Sequence, residues 1–367
     1  RGDFINKIRS AGIAAMEMVA QNLKAMGRYM ARSLSFDGVK YANLEHPLTD
    51  EQRIAYDKCA EAWQIVLENI HRALDVTNGG KRQRANAMSA FWGSNQRFFN
   101  QIITSMQMPT IIKAIEQDLA EGYAPVLQLT NTNEAQLDRA LQGKGEEEDI
   151  EDLDLTPLEQ LMGYVERSFP VHQYTEVMDE EGNVHTEPVY DSDGNHVTNP
   201  AAEAMRDQLL SDLESLKNFI PEGALDMVIN HFGHDKVAEV TGRSKRIITV
   251  EDAEGSRRKV EKWSKARSLA DADQFQNDKK SILVFSQAGG TGRSYHADLT
   301  AKNQRLRKHY LVQAGWRADV AVQGFGRSHR SNQKQPPEYV LVMTDLKGQK
   351  RFISSIARRL DQLGALT

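Results

Sequence analysis

"KSILVFS" (280–286), "HYLVQAG" (309–315) and "EYVLVMT" (338–344) decide the fold of this 367-residue chain. Each is a nearly continuous Val, Ile and Leu run, which is how a strand reads when both of its faces are covered. Helical periodicity fills "ADVAVQGFGRSHR" (318–330) and "GQKRFISSIARRLDQLGAL" (348–366). Strands alternating with helices predict the α/β class, a parallel sheet with helices on both faces. Ligands of such sheets bind at the carboxyl ends of the strands, so the loops after 286 and 315 are expected to carry the chemistry.

Upstream, "APVLQLTN" (124–131) reads as a further buried strand after a long helical region, "ANAMSAFWGSNQRFFNQIITSMQMPTIIKAIEQDLAEGY" (85–123). Thr49 is an N-cap opening another helix, with acids in its first turn. Residues 3–30 repeat apolar positions at three- and four-residue steps, a helix. The Asp37-Gly38 pair between period-two segments suggests a hairpin. Residues 143–200 depart in composition and read as an acidic and polar insertion ending in a Gly-turned hairpin. The expected organisation is therefore a helical preface at 1–100, a lobe at 101–142 and 201–367, and that insertion. "PEGALDMVINHFGHDKVAEVTGR" (221–243) reads as two short helices around Gly233.

Composition narrows the class. With 40% hydrophobic and 26% charged residues, the chain can bury at least one real core. A lone cysteine, Cys59, excludes a disulfide framework and a cysteine zinc site. No apolar run approaches a membrane span, so the chain reads as intracellular and cytoplasmic, with no membrane partner. It starts at Arg1 rather than methionine, and is expected to be cut from something longer. The net charge of −5 is segregated: "GEEEDIEDLDL" (145–155) holds seven acids and no base, whereas 242–267 holds nine Lys/Arg against four acids. The acidic run reads as a solvated linker or as a mimic of nucleic acid. The basic stretch reads as an exposed hairpin or as a phosphate contact through Arg243, Lys245 and Arg246, with Trp263 beside them.

The chemistry concentrates late in the chain. "SQAGGTGRSYHAD" (286–298) has three glycines in four positions, able to turn backbone N–H groups toward a phosphate. Arg327 and Arg330 stand three apart, on one face if helical, with Gln323 one turn earlier; guanidinium forks match phosphate oxygens, and acids are lacking nearby in sequence. A nucleotide γ-phosphate is the natural partner. His231, His234 and Asp235 approach metal spacing without a fourth ligand, and His172, His185 and His196 are scattered. Trp316 is a core anchor or a base-stacking platform.

Gln323, Gly326, Arg327 and Arg330, as Q-x-x-G-R-x-x-R, resemble motif VI of superfamily 2 helicases, and "AGGTGRSYHAD" resembles motif V in its Swi/Snf-like form. With "GRYMARSLSFDGV", "FWGSNQRFFNQI", "VAEVTGR", "QGFGRSHRSNQ" and "RRLDQLGALT", the chain resembles the C-terminal helicase domain of the Strawberry notch family, including its phage and bacterial antirestriction relatives. The resemblance implies a second RecA-like lobe closing over ATP and Mg2+ held mainly by a first lobe upstream, with DNA, double-stranded, as partner. It implies Arg330 as arginine finger, Arg327 as a second γ-phosphate contact and Gln323 as a positioning residue, with Gly326 in the same motif. Gly290, Thr291 and Gly292 would couple nucleotide to the DNA backbone, and Thr130 or Thr132 would touch a phosphate. Arg293, which replaces the usual aliphatic residue, joins the nucleic-acid contacts.

What the chain lacks bounds the reading. No G-x-x-x-x-G-K-[ST] occurs, and no D-E-x-H box follows an apolar strand. Alone, the chain is expected not to hydrolyse ATP. The rival reading is a non-enzymatic nucleic-acid-binding or scaffolding module, with 221–246 as a helix-turn-helix placing Lys236, Arg243, Lys245 and Arg246 on phosphates.

Overall fold

The computed structural model describes residues 35–130, 156–252, 255–287, 292–315 and 317–365, with the side chains of 249–258 left aside. In chain order the elements are β1 (Lys40–His46), α1 (Asp50–Val76), α2 (Lys81–Ala120), β2 (Ala124–Leu129), α3 (Leu158–Ser168), β3 (Tyr174–Met178), β4 (Val184–Pro188), α4 (Pro200–Leu213) and α5 (Ala224–Phe232). They continue with β5 (Val237–Val240), β6 (Lys245–Asp252), β7 (Gly255–Lys262), α6 (Lys265–Gln276), β8 (Ile282–Ser286), β9 (Arg307–Leu311), α7 (Ala318–Phe325), β10 (Glu338–Thr344) and α8 (Lys347–Gln362).

Six strands form one sheet in the order β1-β10-β9-β2-β8-β5, every pairing parallel. From central β2 the chain winds to β5 and back to β8, then crosses to β9 and β10 on the other side. This doubly wound, RecA-like arrangement puts helices on both faces. One face packs Leu127, Leu129, Ile282, Val284 and Tyr310 under α2 and α5, through Met108, Ile111, Ile115, Val228 and Ile229. The other packs Val126, Leu283 and Phe285 under α6, and Leu311, Tyr339 and Leu341 under α7 and α8. Alternation of these side chains along each strand explains why the sequence runs read as continuously apolar.

A second core lies beside the sheet. Trp63, Val66 and Ile70 of α1, Phe91, Phe98 and Ile102 of α2, Leu161 and Val165 of α3 and Leu209 of α4 pack together. Helix α2 serves both cores: Met106 belongs to the helical one and Met108 to the sheet, with Pro109 at the handover. Thr49 caps α1 as expected, in a reciprocal box with Gln52.

Several expectations are corrected. Residues 36–39 form a turn, with Gly38 at φ +78°, and β1 after it joins β10 in parallel; the first arm of the expected hairpin lies outside the described residues. Gly233 ends α5 at φ +87°, and the chain then enters the buried edge strand β5 rather than a second helix. The helix-turn-helix of the rival reading is therefore absent. The segment expected as an insertion does contain the β3–β4 hairpin, yet Leu158, Leu161, Tyr164, Val165, Phe169 and Val171 are core residues. The expected helix at 3–30 and the acidic run at 145–155 lie outside the described residues.

The β6–β7 hairpin is tied down by buried charge. Arg243 donates to Glu239 from Nε and Nη2, at 2.5 and 2.8 Å, and from Nη1 to Asp226 at 3.1 Å. Arg246 donates from Nε to Glu261 at 2.7 Å and lies 3.6 Å over the Trp263 ring. Arg243 and Arg246 are each only 4% exposed. Removing one partner strands a desolvated charge. Glu239→Ala is expected to cost about 3–5 kcal/mol, read as a lowered midpoint in urea unfolding followed by circular dichroism.

Candidate functional site at the arginine turn

The site is built from the end of α7 outward. The helix stops at Phe325, and Gly326 caps it, donating its N–H to Gln323 O at 3.2 Å. Arg327 and Arg330 therefore sit on the turn after the helix, not on one helical face. Arg327 is half-buried and donates Nη1 to the carbonyl of Arg293 at 2.8 Å, while its own carbonyl accepts from Tyr295 N at 2.5 Å. Arg330 is exposed, and its Nε donates to Ser294 Oγ at 3.1 Å. Among the described residues neither arginine forms an ion pair. Their partners are neutral oxygens, so two guanidinium charges remain uncompensated beside the segment that comes after β8.

The turn is seated on the sheet by three buried polar side chains that no motif named. Gln128, in the apolar run of β2, donates Nε2 to Ala321 O at 3.1 Å. That fixes its oxygen toward His309 Nε2, 2.9 Å away. His309 is fully buried, and burial pulls its pKa down to about 3, which keeps the ring neutral. With the proton on Nε2, its Nδ1 accepts from Ser328 Oγ at 2.6 Å. Tyr339 adds a bond from its hydroxyl to Phe325 O at 2.9 Å. The anchors lie in the strands themselves, so the turn rests over the sheet face rather than beyond the strand ends. A Cβ at Gly324 would overlap the Gln128 amide, so this position must be glycine for α7 to sit this close.

The loop from β8 to β9 is pinned from below. Arg307, 1% exposed, donates to the carbonyls of Tyr295, His296, Asn303 and Arg305 and to the side-chain oxygens of Asn303 and Gln276. Tyr295 is itself buried against Phe285. The backbone that receives Arg327 is therefore held from the sheet side.

The other expected residues are scattered around this turn. Gln323 is exposed on α7. Gly292 is exposed at φ +81°, with open space where a Cβ would go. Arg293 pairs with Asp273 at 3.2 Å. Thr130, just past β2, donates its backbone N–H to Gln313 Oε1 at 3.0 Å. Gly290, Thr291, Thr132 and Trp316 lie outside the described residues. Lys245 is half-buried at the base of the hairpin. Arg243 and Arg246 are corrected: both are buried and face inward, Arg243 onto Glu239 and Asp226, Arg246 onto Glu261 and the Trp263 ring, which places them away from a phosphate at the surface.

Residues 223–367 match the family described as the C-terminal domain on Strawberry notch homologue. Residues 223–367 thus carry a Strawberry notch C-terminal domain. Residues 1–58 separately match a family described as P-loop containing NTP hydrolase pore-1. The rat protein strawberry notch homolog 1 is 29% identical over 430 residues, covering 100% of this chain and 34% of that protein. The Arabidopsis protein FORGETTER 1 is 25% identical over 474 residues, covering 99% of this chain and 36% of that protein. Drosophila strawberry notch is 38% identical over 167 residues, 44% of this chain and 10% of the fly protein. The chain thus spans about a third of the length of these rat and Arabidopsis proteins. These relatives are animal and plant proteins and lend no support to a phage or bacterial origin. A solved structure, the C-terminal part of the Fun30 ATPase domain, is similar over 90% of this chain and 96% of that one, with a TM-score of 0.31 and 14% identity. Among the described residues no helix is long and apolar enough to cross a membrane.

Two outcomes test the seat of the turn. His309 titrates near 6.5 when unfolded and near 3 when folded, so below about pH 6.5 the unfolded chain takes up a proton that the folded chain refuses. Its contribution to stability is complete above that pH and is lost as pH falls; His296 and His172, also lowered by burial, act in the same direction. The melting temperature of wild type is expected to fall from pH 6.5 to pH 5, and that of His309→Gln to fall less steeply. Gly324→Ala is expected to displace Gln128 and lower stability by about 1–3 kcal/mol, measured by urea unfolding.

Proposed function

We propose that this Strawberry notch domain is the second motor lobe of an ATP-dependent DNA helicase or translocase. The observation that supports the reading best is the pair Arg327 and Arg330, rigidly seated yet with no acid paired to either among the described residues. A charge held this way, without a counter-ion, fits a partner that arrives bearing phosphate.

The first lobe is assigned to a part of the protein upstream of this chain. Residues 1–58 match a P-loop NTP hydrolase family, yet the 367 residues contain no phosphate-gripping G-x-x-x-x-G-K-[ST]. ATP and Mg2+ are accordingly assigned to that lobe. When the lobes close, Arg330 acts as arginine finger on the γ-phosphate, Arg327 as a second contact, and Gln323 positions the group under attack. Gly290, Thr291, Gly292 and Arg293 would relay closure to the DNA backbone, with Thr130 or Thr132 as a further phosphate contact. Duplex DNA is the proposed track. Repeated closure and release would step the lobe along it.

Phosphate release from ATP, with and without duplex DNA, tests this directly. Turnover is expected from the complete protein and not from residues 1–367 alone. In the complete protein Arg330→Ala is expected to lower kcat by about 10³-fold or more while duplex binding persists. Turnover by this chain alone, or loss of DNA binding with turnover intact, would overturn the assignment.

A further inference from the structure

The N-terminal half of α2 presents a surface that the motor reading does not use. From Val76 to Ile115 the chain contains no Asp or Glu, although 51 acids in 367 residues would place about five or six in a stretch this long. The same stretch holds Lys81, Arg82, Arg84, Arg97 and Lys113. One side of the helix is buried through Phe91, Ser94 and Phe98, and the opposite side is open to solvent at Arg82, Ser89, Trp92, Gln96 and Arg97.

Trp92 is 53% exposed, an unusual position for an indole on a helix whose neighbouring Phe91 is in the core. Its ring meets Phe91 edge-on, at 5.0 Å and 82°, which steadies it without covering its face. One residue on, Gly93 has no side chain, and a Cβ there would lie 3.4 Å from Arg97 Nη1. The Arg97 guanidinium thus lies against the helix where Gly93 leaves its backbone bare. Its Nη2 donates to Ser94 Oγ at 3.0 Å. Among the described residues Lys81, Arg82 and Arg97 form no ion pair. Two acids toward this end of the helix have partners of their own, Asp75 in Arg84 at 2.7 Å and Glu187 in His185 at 3.0 Å.

We infer that this face of α2 is a docking surface for single-stranded nucleic acid, separate from the arginine turn. An exposed indole offers a stacking platform to any unpaired base, and flanking arginines without acids track the phosphates on either side. Ten residues separate Arg82 from Trp92 and five separate Trp92 from Arg97, about 15 and 7.5 Å along the helix, so base and phosphate contacts alternate along one strand. Paired bases would hide the faces that Trp92 needs, which is why an unpaired strand fits better than duplex.

The test is fluorescence anisotropy of a fluorescein-labelled oligo-dT on the 367-residue chain, without ATP. Trp92→Ala is expected to weaken binding about 5- to 100-fold. Arg82→Ala with Arg97→Ala is expected to flatten the slope of log affinity against log salt by about 1.4. Ser89→Asp, which adds one acid to an exposed helical position and removes no contact, is expected to weaken binding also; circular dichroism melts verify that each variant is folded. Arg327→Ala with Arg330→Ala is expected to leave this binding in place, which separates the surface from the motor site. Unchanged affinity in folded Trp92→Ala, or a loss confined to the Arg327 and Arg330 double variant, would overturn the inference.

Discussion

Three neutral side chains determine where two charged ones stand. Gln128, His309 and Ser328 form a closed run of hydrogen bonds between the interior of a parallel sheet and the turn that ends α7. In a low-dielectric interior such a run works only if every donor has its acceptor, because one unmatched group costs more than the bond it would have made. The neutrality of His309 is thus a requirement of the architecture. A protonated ring would carry two donors and turn the Ser328 hydroxyl from donor to acceptor, leaving a positive charge buried without a counter-ion. The arginine turn inherits its rigidity from a network that contains no charge.

Much of the fold is legible in the sequence, and the elements that escape it share a physical pattern. Strands β8, β9 and β10 can be read because burial on both faces leaves a continuous apolar signature, and the glycine and arginine spacing at 323–330 marks the turn where two arginines stand without acids among the described residues. Strand β5 escapes because four residues, "VAEV", after a Gly-terminated helix carry too little periodicity to distinguish strand from helix. Strand β1 is harder to place because a half-exposed edge strand alternates, and alternation next to Asp-Gly does not say which distant strand it joins. Arg243 and Arg246 mislead for a different reason. Their acids, Glu239, Asp226 and Glu261, are four to seventeen residues away, and only folding gathers them. A cluster of bases in sequence says nothing about whether its counter-ions lie close in space. Gln128 and His309 do leave a signal, since a polar residue inside an otherwise apolar central strand demands a partner.

The two kinds of arginine in this chain illustrate one rule from both sides. Arg243, Arg246 and Arg307 are buried, and each is surrounded by oxygen, carboxylate for the first two and mainly carbonyl for the third. Arg327, Arg330 and Arg97 keep solvent and borrow one neutral acceptor each. The first group holds elements together, and the second group is poised for something not part of the fold.

Helix α2 runs for 40 residues, about 60 Å, as a single member of two hydrophobic cores. Pro109, which cannot donate to the helical ladder, stands where α2 passes from one core to the other, so a bend between the helical module and the sheet would fall there. A displacement of a few degrees at the sheet end becomes several ångströms at the far tip, where Arg82 lies, and less at Trp92, about three turns in from that tip. In mechanical terms α2 is a lever whose short arm rests on the arginine-bearing lobe and whose long arm sweeps the solvent.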